Sequence, residues 1–326
     1  MRSLALILLT ALATALLPVF GSDYALSFGV QLLMFTALAY SWNLIGGYAG
    51  YTHFGQVAFL GFGAYVGTIG MGAGWHWTAA ACVAGLAGLA LALPLGFAML
   101  RLKGPFFAIG MFGMARVLEA FALGFDGITQ GGTGLYLTPL DNLKPVYAAF
   151  ALLAIGLLVL TWRLDNSRLG LQLLAIREDE TAAEALGIRT TRLKIGAFAA
   201  SAVAPAAAGS LYATYLSFID PTTAFAPMTE LTTISMVLLG GLGTVFGPLA
   251  GALAMSVVNE LLWSRFPELY LTLVGCVILL AVLFMPRGLV GSVRRLPIVP
   301  VGRDGLRRLA SRRAGTAGPR EEVALG

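Results

Sequence analysis

Residues 26–46 read LSFGVQLLMFTALAYSWNLIG, a run without a single charged side chain. As one α-helix at ~1.5 Å per residue, this run crosses the ~30 Å hydrocarbon core of a bilayer. The chain is therefore read as an integral membrane protein. The run then breaks at Gly46-Gly47-Tyr48-Ala49-Gly50-Tyr51-Thr52-His53-Phe54-Gly55. A second stretch has the same outline: Gly240-Gly241-Leu242-Gly243-Thr244-Val245-Phe246-Gly247-Pro248. Each opens on Gly-Gly, closes on Phe-Gly, follows an apolar helix and precedes one rich in small residues. Paired Gly/Pro interruptions in the two halves of a transporter point to internal duplication and a pathway between the halves. The same residues also suit two tight turns between neighbouring spans near the cytoplasmic face, and both readings stand on sequence alone.

Apolar windows recur near 3–20, 26–46, 54–72, 77–100, 104–124, 145–163, 194–217, 229–240, 247–263 and 269–286. The expected fold class is all-α: a polytopic transmembrane helical bundle of about ten spans filling residues 1–286. Composition agrees, with 58% hydrophobic and 11% charged residues against ~25% charged in soluble domains. The 41 glycines supply the small side chains that let lipid-embedded helices approach closely. Residues 1–21 have the outline of a signal peptide, but their long apolar run, without a small-x-small site before Ser22, favours a first span.

Charge sets the orientation. With the N-terminus inside and the spans alternating, 18 of the 21 Lys and Arg fall on the cytoplasmic side: Arg2, Arg101, Lys103, six in 163–194 and nine in the tail. That asymmetry is what the positive-inside rule requires, and an even span count puts both termini in the cytoplasm. The net charge of +5 belongs to residues 287–326, where nine Arg face Asp304, Glu321 and Glu322. Such a tail is expected to be unstructured and to lie near anionic lipid; it is not read as a nucleic-acid surface.

The longest polar interior segment is the loop 164–193. Within it Thr181-Ala182-Ala183-Glu184 fits a capping box, with Thr181 as N-cap and Glu184 reaching back, and Gly187 is placed to end the short helix in a left-handed cap. A rigid knob on a cytoplasmic loop suits the docking of a partner. Enzymatic chemistry has no parts here. None of Lys103, Lys144 and Lys194 precedes Ser or Thr, so the chain cannot cradle nucleotide phosphates by a G-x-x-x-x-G-K-[ST] loop, and neither H-E-x-x-H nor G-x-S-x-G occurs. Cys82 and Cys276 lack metal-ligand spacing and read as packing residues, so neither metal nor cofactor is expected.

Intramembrane polar residues then stand out. Arg116 and Glu119 lie at i, i+3 and can neutralise each other. Glu230, placed on the outer side, suits either a ligand ammonium or the headgroup region. Asn43, Asn259 and Glu260 can bond between helices. His53 is expected to bond a neighbouring carbonyl in its turn, and Trp42, Trp75, Trp77 and Trp263 to anchor at interfaces.

From about residue 26 to 291 the chain resembles the LivM-type permeases of branched-chain amino acid ABC importers. The resemblance rests on an ordered set of segments. These are Ser41-Trp42-Asn43-Leu44 leading into the first glycine break, Gly104-Pro105-Phe106-Phe107-Ala108, Thr129-Gln130-Gly131-Gly132-Thr133-Gly134-Leu135, and Arg168-Leu169-Gly170 through Ala175-Ile176-Arg177-Glu178. Ala182-Ala183-Glu184-Ala185-Leu186-Gly187-Ile188, Leu239-Gly240-Gly241-Leu242-Gly243 and Phe284-Met285-Pro286-Arg287-Gly288-Leu289 complete it. It implies a multi-pass subunit of the bacterial inner membrane, with a LivH-like second permease, two cytoplasmic ATPases and a periplasmic binding protein as partners. The loop 177–188 then corresponds to the ATPase-coupling segment, with Ala182, Ala183 and Gly187 as the small residues that seat in the ATPase. Related permeases serve urea, short amides and other amino acids. A reading from another class, an ion-coupled secondary transporter, needs buried coupling carboxylates, for which Glu119 is the candidate.

Overall fold

The computed structural model describes residues 2–102, 104–266, 268–284 and 288–293; Lys103 and the tail beyond Val293 lie outside them. The order is α1 (Arg2–Phe20), α2 (Asp23–Trp42) continued by a π-helical segment (Asn43–Ala49), α3 (Gln56–Gly72), α4 (Trp77–Met99), α5 (Pro105–Gly124) and the short α6 (Asp126–Thr129). There follow β1 (Leu135–Tyr136), α7 (Lys144–Asp165), α8 (Arg168–Glu178), α9 (Glu180–Ala185), α10 (Thr190–Leu216), β2 (Phe218–Ile219), α11 (Pro221–Ala224), α12 (Pro227–Gly240), α13 (Gly247–Arg265), α14 (Tyr270–Phe284) and α15 (Gly288–Val293). The sole sheet among the described residues is the antiparallel pair β1–β2, Leu135 opposite Ile219, which ties the loop after α6 to the end of α10.

The architecture is an all-α bundle, and one helix occupies each of the ten apolar windows. Among the described residues, five segments are long and apolar enough to cross a membrane: Asp23–Ala49, Trp77–Met99, Pro105–Gly124, Lys144–Asp165 and Thr190–Leu216. α1 packs on α7, where the Tyr147 hydroxyl donates to the Thr14 carbonyl (2.9 Å).

α10 is the central post, packed against α2, α3, α4 and α7. Its neighbours come close because small residues face it. A Cβ on Gly63 would strike the Ala206 backbone, and one on Gly88 would meet Ala206 at 2.5 Å. In lipid such backbone proximity replaces the hydrophobic drive as the source of helix association. Pro205 interrupts α10 and cannot donate to the Ser201 carbonyl four residues back. That carbonyl is taken up instead by the Ser41 hydroxyl of α2, as the absence of water in a bilayer demands.

Three expectations are corrected. Trp42 is 2% exposed and is a core residue, whereas Trp75 and Trp263 face outward as anchors do. Cys82 and Cys276 sit on exposed faces and do not pack in the core. The loop 164–193 carries two helices, α8 and α9, because Ser167 caps the first of them through the Gly170 N–H.

Ser41→Ala should lower stability in detergent by about 0.6–1.7 kcal/mol, the range for interhelical hydrogen bonds in membrane proteins. In a Pro205→Ala background, where a backbone N–H again reaches Ser201, the same change should cost almost nothing. Equal thermal shifts in both backgrounds would remove the proline explanation.

Candidate functional site

The site is where the two glycine breaks meet. α2 does not stop at Trp42; it widens into π-helical turns, a geometry that recurs at functional sites, and closes on Gly50 at φ +80°. The chain then doubles back. Trp42 Nε1 donates to the His53 carbonyl (3.0 Å), and Gln56 Nε2 donates to the Leu38 carbonyl (2.7 Å). α3 therefore starts level with Leu38, roughly 13 Å before Gly47 along α2 at ~1.5 Å per residue. The first break is an interruption that re-enters the bundle. The second is a tight turn, with Gly240 of α12 against the Gly247 backbone of α13.

Asn43 joins them. Its Oδ1 accepts from the Gly243 N–H (2.8 Å) and its Nδ2 donates to the Thr244 carbonyl (3.3 Å). The approach leaves no room for side chains: a Cβ on Gly47 would collide with the Asn43 carboxamide, and one on Gly243 would lie 2.8 Å from both the Gly47 carbonyl and Arg177 Nη1. Asn43 is thus fully buried and committed to backbone partners, which makes it the seal of the joint. Of the remaining break glycines, Gly46 receives the Trp42 ring, and Gly241 turns the chain at φ +122°.

The loop 164–193 reaches the same joint. Arg177, in the last turn of α8, donates from Nη1 to the Gly47 carbonyl (2.6 Å). Across one extended residue, Asp179, α9 begins. Asp179 is the N-cap, its Oδ1 accepting from the N–H groups of Thr181 (2.9 Å) and Ala182 (3.0 Å). The expected Thr181–Glu184 box does not form. The Asp179 carboxylate, two residues before Thr181, is a better acceptor at a helix N-terminus than a neutral hydroxyl, and Glu184 instead accepts from the Thr190 hydroxyl. Gly187 closes α9 at φ +82°. The Ile188 N–H reaches the Ala183 carbonyl (3.1 Å) and the Gly187 N–H reaches Glu184 (2.8 Å), a complete Schellman motif. Arg177, Glu178, Thr181, Ala182, Glu184 and Gly187 are exposed, but Ala183 is buried against the core and presents nothing outward. The exposed apolar residue at the tip is Leu186, at 81%.

Tyr51, Glu180 and Lys194 complete the clamp. The Tyr51 hydroxyl donates to Glu180 Oε2 (2.7 Å) and accepts from Lys194 Nζ (3.0 Å), and Lys194 pairs with the other Glu180 oxygen. Sequence reasoning missed these residues. Tyr51 was one aromatic in a glycine-rich stretch and Lys194 one basic residue in a topology tally. The signal available was a lysine at the start of a long apolar helix, which needs a partner.

The other polar candidates lie apart from the joint. Arg116 and Glu119 form an ion pair on α5, and Arg116 also donates to the Phe225 carbonyl. Phe225 in turn lines an apolar cavity of about 250 Å³ with Tyr65 and Phe121, to which neither Arg116 nor Glu119 contributes. Glu230 is 3% exposed and lies neither among headgroups nor open to a ligand. Its Oε2 accepts the Val57 N–H (2.8 Å), so it serves the first turn of α3, whose free N–H groups attract an anion. Among the described residues His53 bonds no carbonyl; its Nδ1 faces the Gly55 N–H at 3.4 Å and its ring stacks on Trp42. Glu260 accepts from the Tyr24 hydroxyl.

Asn43→Ala strips partners from two backbone groups and should cost about 1–3 kcal/mol. Gly47→Ala should cost a similar amount by displacing the carboxamide. Because one methyl then fills the space of the lost amide, the double variant should be milder than the sum of the singles, measured as thermal unfolding in detergent. Strict additivity would show that the two residues do not share the joint.

Residues 24–282 match the family model described as "Branched-chain amino acid transport system / permease component". The LivM permease proteins of the high-affinity branched-chain amino acid transport system from Salmonella typhimurium and Escherichia coli K12 are each 28% identical to this chain. The alignments cover 85% and 90% of it and 72% and 76% of those proteins. The LsrC permease protein of the autoinducer 2 import system of Yersinia pseudotuberculosis is 27% identical over 60% of the chain and 57% of its own length. No solved structure matches. With the match spanning both glycine breaks and the clamped loop between them, the chain belongs to the permease-component family of branched-chain amino acid transport systems.

Proposed function

We propose that this chain is the LivM-like permease subunit of an ATP-driven importer, forming the inner-membrane pathway for branched-chain amino acids together with a LivH-like second permease. In this reading the chain makes ten passes with both termini in the cytoplasm. A periplasmic binding protein delivers the substrate, and two cytoplasmic ATPases supply the energy. The chain itself catalyses no reaction.

One observation carries the coupling part of this reading: α9 is a rigid, doubly capped knob with Leu186 exposed at its tip. Leu169 and Leu171 of α8 are exposed beside the same loop, at 54% and 43%. Apolar side chains held outward on a short, well-capped helix suit insertion into a groove on a partner. The substrate assignment is supported by the names of the LivM relatives.

Leu186→Glu should leave the protein in the membrane while reducing ATP-dependent uptake of radiolabelled leucine by about tenfold, within the usual span of coupling between sites. The assay uses cells lacking their own branched-chain transport and carrying this chain with its companion subunits. Wild-type uptake by this variant would remove the docking role from α9, and leucine-independent uptake of urea would remove the substrate assignment.

A further inference from the structure

We infer that Tyr51, Glu180 and Lys194 are positioning residues that carry movement of α9 to the interrupted end of α2 and to the central helix α10. The inference rests on the reading that α9 receives the ATPase, and goes beyond it by naming the linkage inside this chain.

The geometry is that of two arms about one hinge. α8 ends at Glu178 and α9 begins at Glu180, separated by the single extended residue Asp179 at φ −157° and ψ 111°. Each arm grips the same short peptide. Arg177, two residues before the hinge, holds the Gly47 carbonyl; Glu180, one residue after it, holds the Tyr51 hydroxyl. Between those grips lies Gly50 at φ +80°, so close to α8 that a Cβ there would stand 2.8 Å from Arg177 Cγ. A rotation of α9 about Asp179 changes the distance between the two grips. The peptide Gly47–Tyr51 must follow, pivoting where glycine allows it.

Lys194 ties this motion to the bundle. It is 4% exposed on the first turns of α10 and bonds both Glu180 and Tyr51, lying 5.1 Å over the Tyr51 ring. A lysine that deep is retained only when its charge is compensated, and Glu180 supplies the opposite charge. The triad therefore joins α9, the re-entrant stretch after Gly50 and the post against which α2, α3, α4 and α7 pack. An ion pair and a shared hydroxyl are directional, so they transmit displacement better than an apolar patch that can slide.

The test uses the full chain co-expressed with its companion permease and ATPases and reconstituted in lipid vesicles, with radiolabelled leucine and the binding protein as probes. Tyr51→Phe keeps the ring and removes the hydroxyl; Lys194→Met keeps the stem and removes the charge. The expected result is that both variants retain the ATPases on purification and hydrolyse ATP at the wild-type rate, while leucine imported per ATP falls by about fivefold or more, as loss of inter-site coupling predicts. The exchanged pair Glu180→Lys with Lys194→Glu should recover part of that ratio. A ratio within about twofold of wild type in both single variants overturns the linkage, as does a fall in hydrolysis that exactly matches the fall in uptake. Leu186→Glu is run in parallel. If it keeps both its ATPases and its uptake, the docking reading fails, and that outcome is distinct from a null result in the triad.

Discussion

The structure turns on one contact: the carboxamide of the buried Asn43 bridging the backbone of Gly243 and Thr244. A helix interrupted within a membrane leaves peptide groups with no internal partner, each costly to leave bare. Here the interruption after α2 is matched against the turn after α12, and one short amide serves both. The glycines follow from that choice. Only a residue without a Cβ lets Gly47 and Gly243 lie close enough for Asn43 to reach across. The Arg177 guanidinium then takes the Gly47 carbonyl that the π-helical turn leaves facing the loop.

Much of this was legible in the sequence. The ten apolar windows each hold a helix, since a run of apolar residues with small side chains has few other solutions in lipid. The positive φ of Gly187 was also readable, because a glycine at the end of a short helix has one common use. What was not readable was which partner each polar group would find. Glu230, by its place near a helix start, suits a ligand ammonium or the headgroups, but although its helix begins with the exposed Pro227 and Met228, its own side chain turns inward to the first turn of α3. Thr181 and Glu184 had the spacing of a capping box, yet Asp179 took the cap and Thr190 took Glu184. Two candidate N-caps two residues apart, each with its own set of N–H groups, cannot be ranked by spacing alone. The pairing of the two breaks, some two hundred residues apart, depends on tertiary contact that a linear pattern does not encode.

The packing also determines where the molecule can yield. α10 meets α3 and α4 through glycine and alanine, with backbone against backbone, and such surfaces have little slack because close-packed interiors resist continuous deformation. The region between α8, α9 and the first break is held differently, by a few directional polar contacts around one extended residue and several glycines. These contacts involve charged groups, and hydrogen bonds of that kind contribute about 1.5–3 kcal/mol each in net terms, small enough for a few of them to exchange. In the proposed coupling, a stroke applied at α9 would meet a stiff post and a compliant joint in the same place. The compliant part is the one attached to the interrupted helix, so under that coupling the bending would fall at the paired glycines while α3, α4 and α10 would move as one packed body. A switch between two packings requires this division between what bends and what holds. In this chain the dividing line runs through Tyr51, where the glycine-rich stretch ends and the linkage to Lys194 begins.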